Sequence, residues 1–443
     1  MDDDTGYRLP RLLLPRAGID LARWAVIACD QHTAEPAYWD EVARRVGDAP
    51  STLQLIYPEV HLGAADAPAR IARIQQTMRR YLAEGLFVEH AGAVYVERTV
   101  GSRTRRGLML ELDLEHYDFN AGSTSLIRPT EGTIVERLAP RIAVRRGATL
   151  ELPHILVLID DPQRSVIEPI GAQGDALARL YETDLMLGGG HVAGYAVDAA
   201  RAERATRARG ALADPATFAA RDGVPAATPP LLFAVGDGNH SLATAKAIWD
   251  ESRGRVGPDH PSRWALVEVV NIHDTALDFA PIHRLLFGVT VDVRQALAQA
   301  FASRVSCTDV ATGDAMRQRV AAAARDGHRR RTIGLIGPGA RFSVVEIADP
   351  AWALAVSSLQ PIIDAWIARG GVREIDYVHG DEALERLAQR EGCVGIHVAA
   401  IGKDELMNRV VREGPTPRKT FSMGEAHEKR YYVEARRIAT TDA

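Results

Sequence analysis

Apolar residues recur along this chain in two rhythms. Short runs of continuous or alternating apolar positions predict strands at 24–28, 53–57, 87–100 and 108–114, the last two as an antiparallel pair. Longer stretches with an apolar residue every three or four positions predict helices over 36–46 and 66–83, where Ile71, Ile74, Met78 and Leu82 share one face. The strand rhythm returns at 155–159, 192–197, 231–235, 266–272, 332–336, 342–347 and 394–398, with helical segments between. Interleaving of this kind predicts an α/β protein, or a mixed α+β one.

Residues 198–222 are rich in Ala and Arg and weakly periodic, which predicts an exposed helical insertion, and the three glycines at 188–190 predict a flexible turn. The chain has 443 residues, too many for one ordinary core, so several domains are expected. A fresh helix–strand–helix series begins near residue 300. The expected division is an α/β region over 1–115, a core over 116–300 and a second α/β region over 301–443.

Composition changes this picture only by exclusion. Hydrophobic residues at 46% and charged residues at 25% are those of a soluble globular protein. A net charge of −5 disfavours a dedicated nucleic-acid binder. Cys29, Cys307 and Cys393 are odd in number and far apart, a spacing that fits neither a disulfide framework nor a zinc site. The acidic start MDDD has no apolar signal-peptide run, and no apolar run approaches the ~20 residues of a membrane span. A cytoplasmic protein with no membrane partner is expected, and a homo-oligomer is compatible with the sequence.

The sharpest chemical signal is AVGDGNHSLATAKA at 234–247. An apolar run precedes it, and a helical stripe of Leu242, Ala245, Ile248 and Trp249 follows. Gly236 and Gly238 permit positive φ and close approach of a ligand, and a helix N-terminus attracts anions. Asp237 and His240 then supply metal binding, proton transfer or charge. The alternative is a tight turn with an Asn or Asp helix cap. Ser241 stands where a dinucleotide fingerprint has its third glycine, and the Walker Lys-Ser/Thr is missing.

Other segments carry polar groups of the same kind. In RPTEGTIVERLAPRIAVRRG at 128–147, Thr133 and Glu136 have capping-box spacing, and Arg137, Arg141 and Arg145 fall near one helix face. Such a ladder suits a phosphorylated anion, or is a solvated basic face. Glu131, just before it, is a candidate general base or metal ligand, or a helix-dipole partner. His283 and Arg284 sit among apolar residues, where an unpaired charge is costly. Cys29 follows a strand and is read as a buried thiol rather than a nucleophile. Arg418, Lys419 and Thr420 lie in a polar, turn-rich loop over 415–424, another candidate anion site. Neither a Ser-His-Asp order nor a His-Glu-x-x-His motif is evident. The inventory suits phosphoryl transfer, which relies on positioning and charge stabilisation.

These segments, in this order, resemble the domain of unknown function 1015 family. The resemblance rests on Asp237-Gly238-Asn239-His240-Ser241 against Asp-Gly-His-His-Arg, on Pro281-Ile282-His283-Arg284, on Pro417-Arg418-Lys419-Thr420, and on the carboxylate-then-arginine stretch 130–141. The family is similar to the ParB-like and sulfiredoxin-like superfamily, which includes free serine kinases. The resemblance implies a ParB/sulfiredoxin-like nucleotide-binding core over 116–300, ATP or ADP, magnesium on Asp237, and a small hydroxylated substrate such as serine. It implies catalytic roles for Asp237, His240 and Glu131. The remaining binding residues are expected to be Gly236, Gly238, Asn239, Ser241, Arg137, Arg141, His283, Arg284, Arg418 and Lys419. Asn239 and Ser241 depart from the motif. With its arginine absent, Arg137, Arg141, Arg284 and Lys419 are expected to supply the positive charge. A phosphoester hydrolase using the same pocket, or a non-catalytic nucleotide-sensing regulator, are the other functions that fit.

Overall fold

The computed structural model describes residues 5–172, 177–325, 330–348 and 355–440. The protein is mixed α/β, as its rhythms predict. Its contacts divide the chain into two units, Met1–Leu277 with Gly424–Ala443, and Asp278–Met423. The first unit is therefore discontinuous in sequence, and neither 115/116 nor 300/301 coincides with its limits. Among the described residues, no helix is long and apolar enough to cross a membrane.

The first unit is built on a nine-stranded sheet. Its central strand, Arg103–Asp113, shows why both faces are covered. Leu108, Leu110 and Leu112 point to one core, while Met109 points to the other, the period-two alternation of a strand. Trp264–Asn271 pairs with it antiparallel and with Leu156–Ile159 parallel. Leu156–Ile159 then pairs antiparallel with Phe233–Asp237, which runs parallel to Ile127–Pro129 at the edge. The C-terminal segment returns to this unit and pairs twice. Tyr431–Tyr432 pairs with Val26–Ile27, and Arg436–Arg437 with Leu150–Glu151. Buried Arg430 reinforces it by ion pairs to Glu268 and Glu434 and by donating to the carbonyl of Pro153.

Several local expectations change. The run 24–28 is a short helix, Leu21–Trp24, followed by the two-residue strand Val26–Ile27, because Asp20 accepts from the Ala22 amide and caps the helix. The run 53–57 contains the 3-10 turn Thr52–Gln54, where Ser51 and Gln54 form a capping box. The Thr133–Glu136 box does not form. The helix is Leu138–Arg145, preceded by the 3-10 turn Val135–Arg137. Pro140 lies in its first turn, where a missing N–H costs no helical bond. Residues 198–222 form the helices Ala199–Ala213 and Pro215–Asp222, which bury Ala202, Ala205 and Phe218 rather than standing off the surface.

The second unit has its own seven-stranded sheet, with Phe279–Phe287 between Cys393–His397 and Glu374–His379. The start of Phe279–Phe287 pairs with Phe421–Met423, so the two ends of this unit lie side by side.

Candidate functional site

The strand Phe233–Asp237 is buried through Val235 and then leads straight into the helix Asn239–Val256. Gly238 makes that possible. Its φ is +77°, and a Cβ there would lie 3.0 Å from the backbone of Ile155. Asp237 Oδ1 accepts from the Gly238 amide at 3.1 Å, closing the turn. The first-turn amides of the 18-residue helix Asn239–Val256 lie at its positive end. Asn239 Oδ1 is buried there, with no hydrogen-bond partner among the described residues.

Strand pairing brings two further segments to this turn. On one side, the parallel strand Ile127–Pro129 ends beside Val235, and Thr130 donates through both its amide and its hydroxyl to the Val235 carbonyl. Glu131 follows directly, and the Ile134 amide donates to His240 Nε2 at 3.4 Å. On the other side, Leu156 pairs with Asp237, which sets His154 beside the new helix. His154 Nε2 lies 2.9 Å from Ser241 Oγ, and its Nδ1 lies 2.8 Å from Tyr432 Oη.

The C-terminal strand completes the cluster. Because Tyr432 pairs with Val26, Lys429 and Tyr432 come to the loop that holds Cys29 and Asp30. Tyr432 Oη accepts from the Cys29 amide at 3.1 Å. Lys429 Nζ lies 3.0 Å from Asp237 Oδ2, with the two side chains 10% and 22% exposed. Asp30 Oδ2 stands 3.9 Å from His154 Nε2. Burial pulls the Asp30 carboxyl upward, but the charges of His154 and Lys429 outweigh it and hold the group below its ordinary value. Burial drives the Tyr432 phenol well above its usual range, so it remains a neutral hydrogen-bonding group. Desolvation, together with Asp30 and Glu59, drives the Cys29 thiol far up as well, although Cys29 is only partly buried rather than the fully buried thiol expected from the sequence.

A cavity of about 140 Å³ opens beside this cluster. Ser241, Thr244, His154 and Tyr432 line one end. Arg141 lies in its wall, bonded to Glu59 at 2.6 Å, and Arg145 bonds Glu151 at 2.5 Å. Burial raises the Glu59 carboxyl despite Arg141. The arginine ladder is thus divided: Arg141 and Arg145 are committed to carboxylates, and Arg137 is exposed, with its carbonyl accepting from Arg141.

The other candidate residues belong to the second unit. His283 Nε2 and His397 Nε2 lie 2.9 and 3.0 Å from Asp381 Oδ1, and burial lowers the His283 pKa. Buried Arg284 donates to the carbonyls of Ile282 and Arg418 and lies over the Tyr377 ring. Arg418 bonds the Tyr377 hydroxyl at 2.9 Å and pairs with Asp364. Lys419 follows with a φ of +57°.

The first unit therefore gathers Glu131, Asp237, Asn239, His240 and Ser241 with Gly236 and Gly238. The cation set against Asp237 is Lys429, which sequence reasoning did not single out. Asp30, His154 and Tyr432 were not singled out either. The only sequence signal for Asp30 was its place after a strand.

Residues 13–378 match the model of a family described as "Protein of unknown function (DUF1015)". No curated protein sequence matches this chain. Among solved structures, the chain is similar to a conserved hypothetical protein from Pyrococcus furiosus, at 11% identity and a TM-score of 0.37, over 78% of this chain and 99% of that one. It is similar to a free serine kinase mutant in complex with AMP, at 11% identity and a TM-score of 0.39, over 75% and 93%. A third similar structure is SbnI with a C-terminal truncation from Staphylococcus aureus, at 13% identity and a TM-score of 0.35, over 71% and 82%.

Proposed function

The chain belongs to the DUF1015 family, and from that premise we propose that it is a nucleotide- and magnesium-dependent phosphotransferase acting on a small hydroxylated metabolite. The observation that carries this reading is the Asp237–Lys429 pair at the positive end of the helix Asn239–Val256. Phosphoryl transfer needs a cradle for phosphate, a compensating cation and a carboxylate to orient or deprotonate the acceptor. The Gly238 turn and the first-turn amides offer the cradle, and Lys429 offers the cation. Asp30 and Glu131 approach the turn from opposite sides as candidate bases, and Asp30 is held in its ionised form.

The donor set fits a hard cation. Asp237 would supply a carboxylate, and Asn239 Oδ1, buried without a partner among the described residues, a second oxygen, a combination suited to magnesium. Such an ion would supply charge neutralisation at the phosphates of a bound nucleotide. His240, tied to the 130–134 loop through the Ile134 amide, fixes the other wall of the cradle.

A hydrolase draws support from the Ser241–His154 hydrogen bond, the pairing of a nucleophile with its base. Its weakness is the third group. Asp30 approaches the same Nε2 that faces Ser241, while Nδ1 is held by the Tyr432 phenol, so among the described residues no carboxylate orients the ring from behind.

The test is purified protein with magnesium, ATP or ADP, and a panel of hydroxylated metabolites that includes serine, scored for nucleotide consumed and phosphorylated product formed. Acceptor-dependent turnover is expected. Asp30→Asn and Glu131→Gln then identify the base by which one lowers kcat with KM little changed. Phosphate release from phosphoesters without nucleotide moves the assignment to the hydrolase, and saturable nucleotide binding without turnover moves it to a regulator.

A further inference from the structure

We propose that the cavity beside Ser241 holds the apolar body of an amphipathic alcohol, whose hydroxyl lies at Ser241 and His154. The inference rests on the phosphotransfer reading and names the class of acceptor. It follows from the wall. Leu55, Ile56, Met78 and Leu150 are buried, and Val144 and Leu62 are among the other apolar residues of the lining. The charged wall groups are neutralised by one another: Arg141 by Glu59, and Arg145 by Glu151, which also takes Arg436.

Most polar capacity around Ser241 is spent as well. Thr244 donates to the carbonyl of His240, and the Tyr432 hydroxyl is shared between the Cys29 amide and His154. Ser241 Oγ has one donor and two acceptor sites, and its described contact is His154 alone. One ligand hydroxyl fits there. A zwitterion would set two charges against apolar walls whose own charges are already matched, which is unfavourable.

Size sets the class further. An engineered apolar cavity of about 150 Å³ takes up benzene, so a volume of about 140 Å³ suits a body of about six heavy atoms. Branched or aromatic primary alcohols have the right shape, whereas glycerol and serine, though of similar size, would set polar or charged groups against the apolar walls.

The experiment uses the full chain and two independent readouts. Equilibrium binding of glycerol, serine, 1-propanol, 3-methyl-1-butanol, benzyl alcohol and 1-decanol is measured by titration calorimetry or ligand-observed NMR. Affinity is expected to rise about fourfold per added methylene, to peak near benzyl alcohol, and to fall at 1-decanol. Val144→Phe is expected to remove the gain from the larger bodies while sparing 1-propanol. Val144→Ala, a mild change at the same position, is expected to move the optimum to a larger body.

Glycerol or serine binding as tightly as benzyl alcohol overturns the inference, and so does a series unchanged by both variants. Nucleotide consumption with magnesium is the second readout. A peaked binding series without turnover discards phosphotransfer and leaves the chamber assignment standing. Turnover with polar acceptors and a flat series does the reverse.

Discussion

Lys429 is the residue on which the proposed site turns, and the role assigned to it there is electrostatic. It is held buried against Asp237 at the positive end of the helix Asn239–Val256, where a positive charge is tolerated because a carboxylate offsets it. Lys429→Ala removes a charged hydrogen-bond donor, so nucleotide binding should weaken by about 1.5–3 kcal/mol. Isothermal titration with magnesium nucleotide measures this, and an unchanged affinity shows that the phosphates lie elsewhere. Nothing local marks this lysine. It stands in the run His427-Glu428-Lys429-Arg430, which reads as a solvated patch, and it meets Asp237 only through strand pairing across most of the chain. The turn itself was legible because Gly236, Gly238 and the following helix lie within a dozen residues. Asp30, His154 and Tyr432 were not, because each reaches the site through a pairing with a distant strand.

At the scale of elements, long strands with clean alternation were predictable and short ones were not. Trp264–Asn271 and Arg341–Ala348 follow from their apolar runs. The two-residue strand Val26–Ile27 and the 3-10 turn Thr52–Gln54 depend on a partner strand and a local cap, which override propensity. One set of elements in the second unit also predicts a pH response. The strands Phe279–Phe287 and Cys393–His397 each place a histidine on Asp381, at the start of the helix Asp381–Ala388. Burial lowers the His283 pKa, so below an ordinary value of about 6.5 the unfolded chain takes up this proton before the folded one does. Stability is intact above that pH and falls as the pH drops through it. Asp381 is pushed the same way by its two imidazole partners, but it titrates far lower and leaves this window unaffected. Hydrogen exchange, corrected for intrinsic rates, should be faster in these two strands at pH 5.5 than at pH 7.5. His283→Asn should flatten the difference.

For the molecule as a whole, the division into units makes a claim about folding. Phe279 pairs with Met423, so the second unit begins and ends at one place and has the form of an insertion. Residues 278–423 alone should unfold cooperatively on heating. Residues 1–277 alone should not, because they lack the strands Tyr431–Tyr432 and Arg436–Arg437 and the Arg430 pairs to Glu268 and Glu434. Joining 277 to 424 through a few Gly and Ser residues should restore a cooperative melt, followed by near-UV circular dichroism. A cooperative melt of 1–277 by itself contradicts this account.

The returning segment also sets a clock. Translation completes the strand Phe233–Asp237 and its turn well before it reaches Lys429 and Tyr432, and the whole second unit is made in between. At typical synthesis speeds that interval is on the order of ten seconds. Through it, a nascent chain carries Asp237 without its cation and His154 without its phenol. On the proposed reading, a growing polypeptide gains the phosphate site only once Lys429 and Tyr432 have been made, and a product truncated before Lys429 is expected not to bind nucleotide even though the Gly236–Gly238 turn is present.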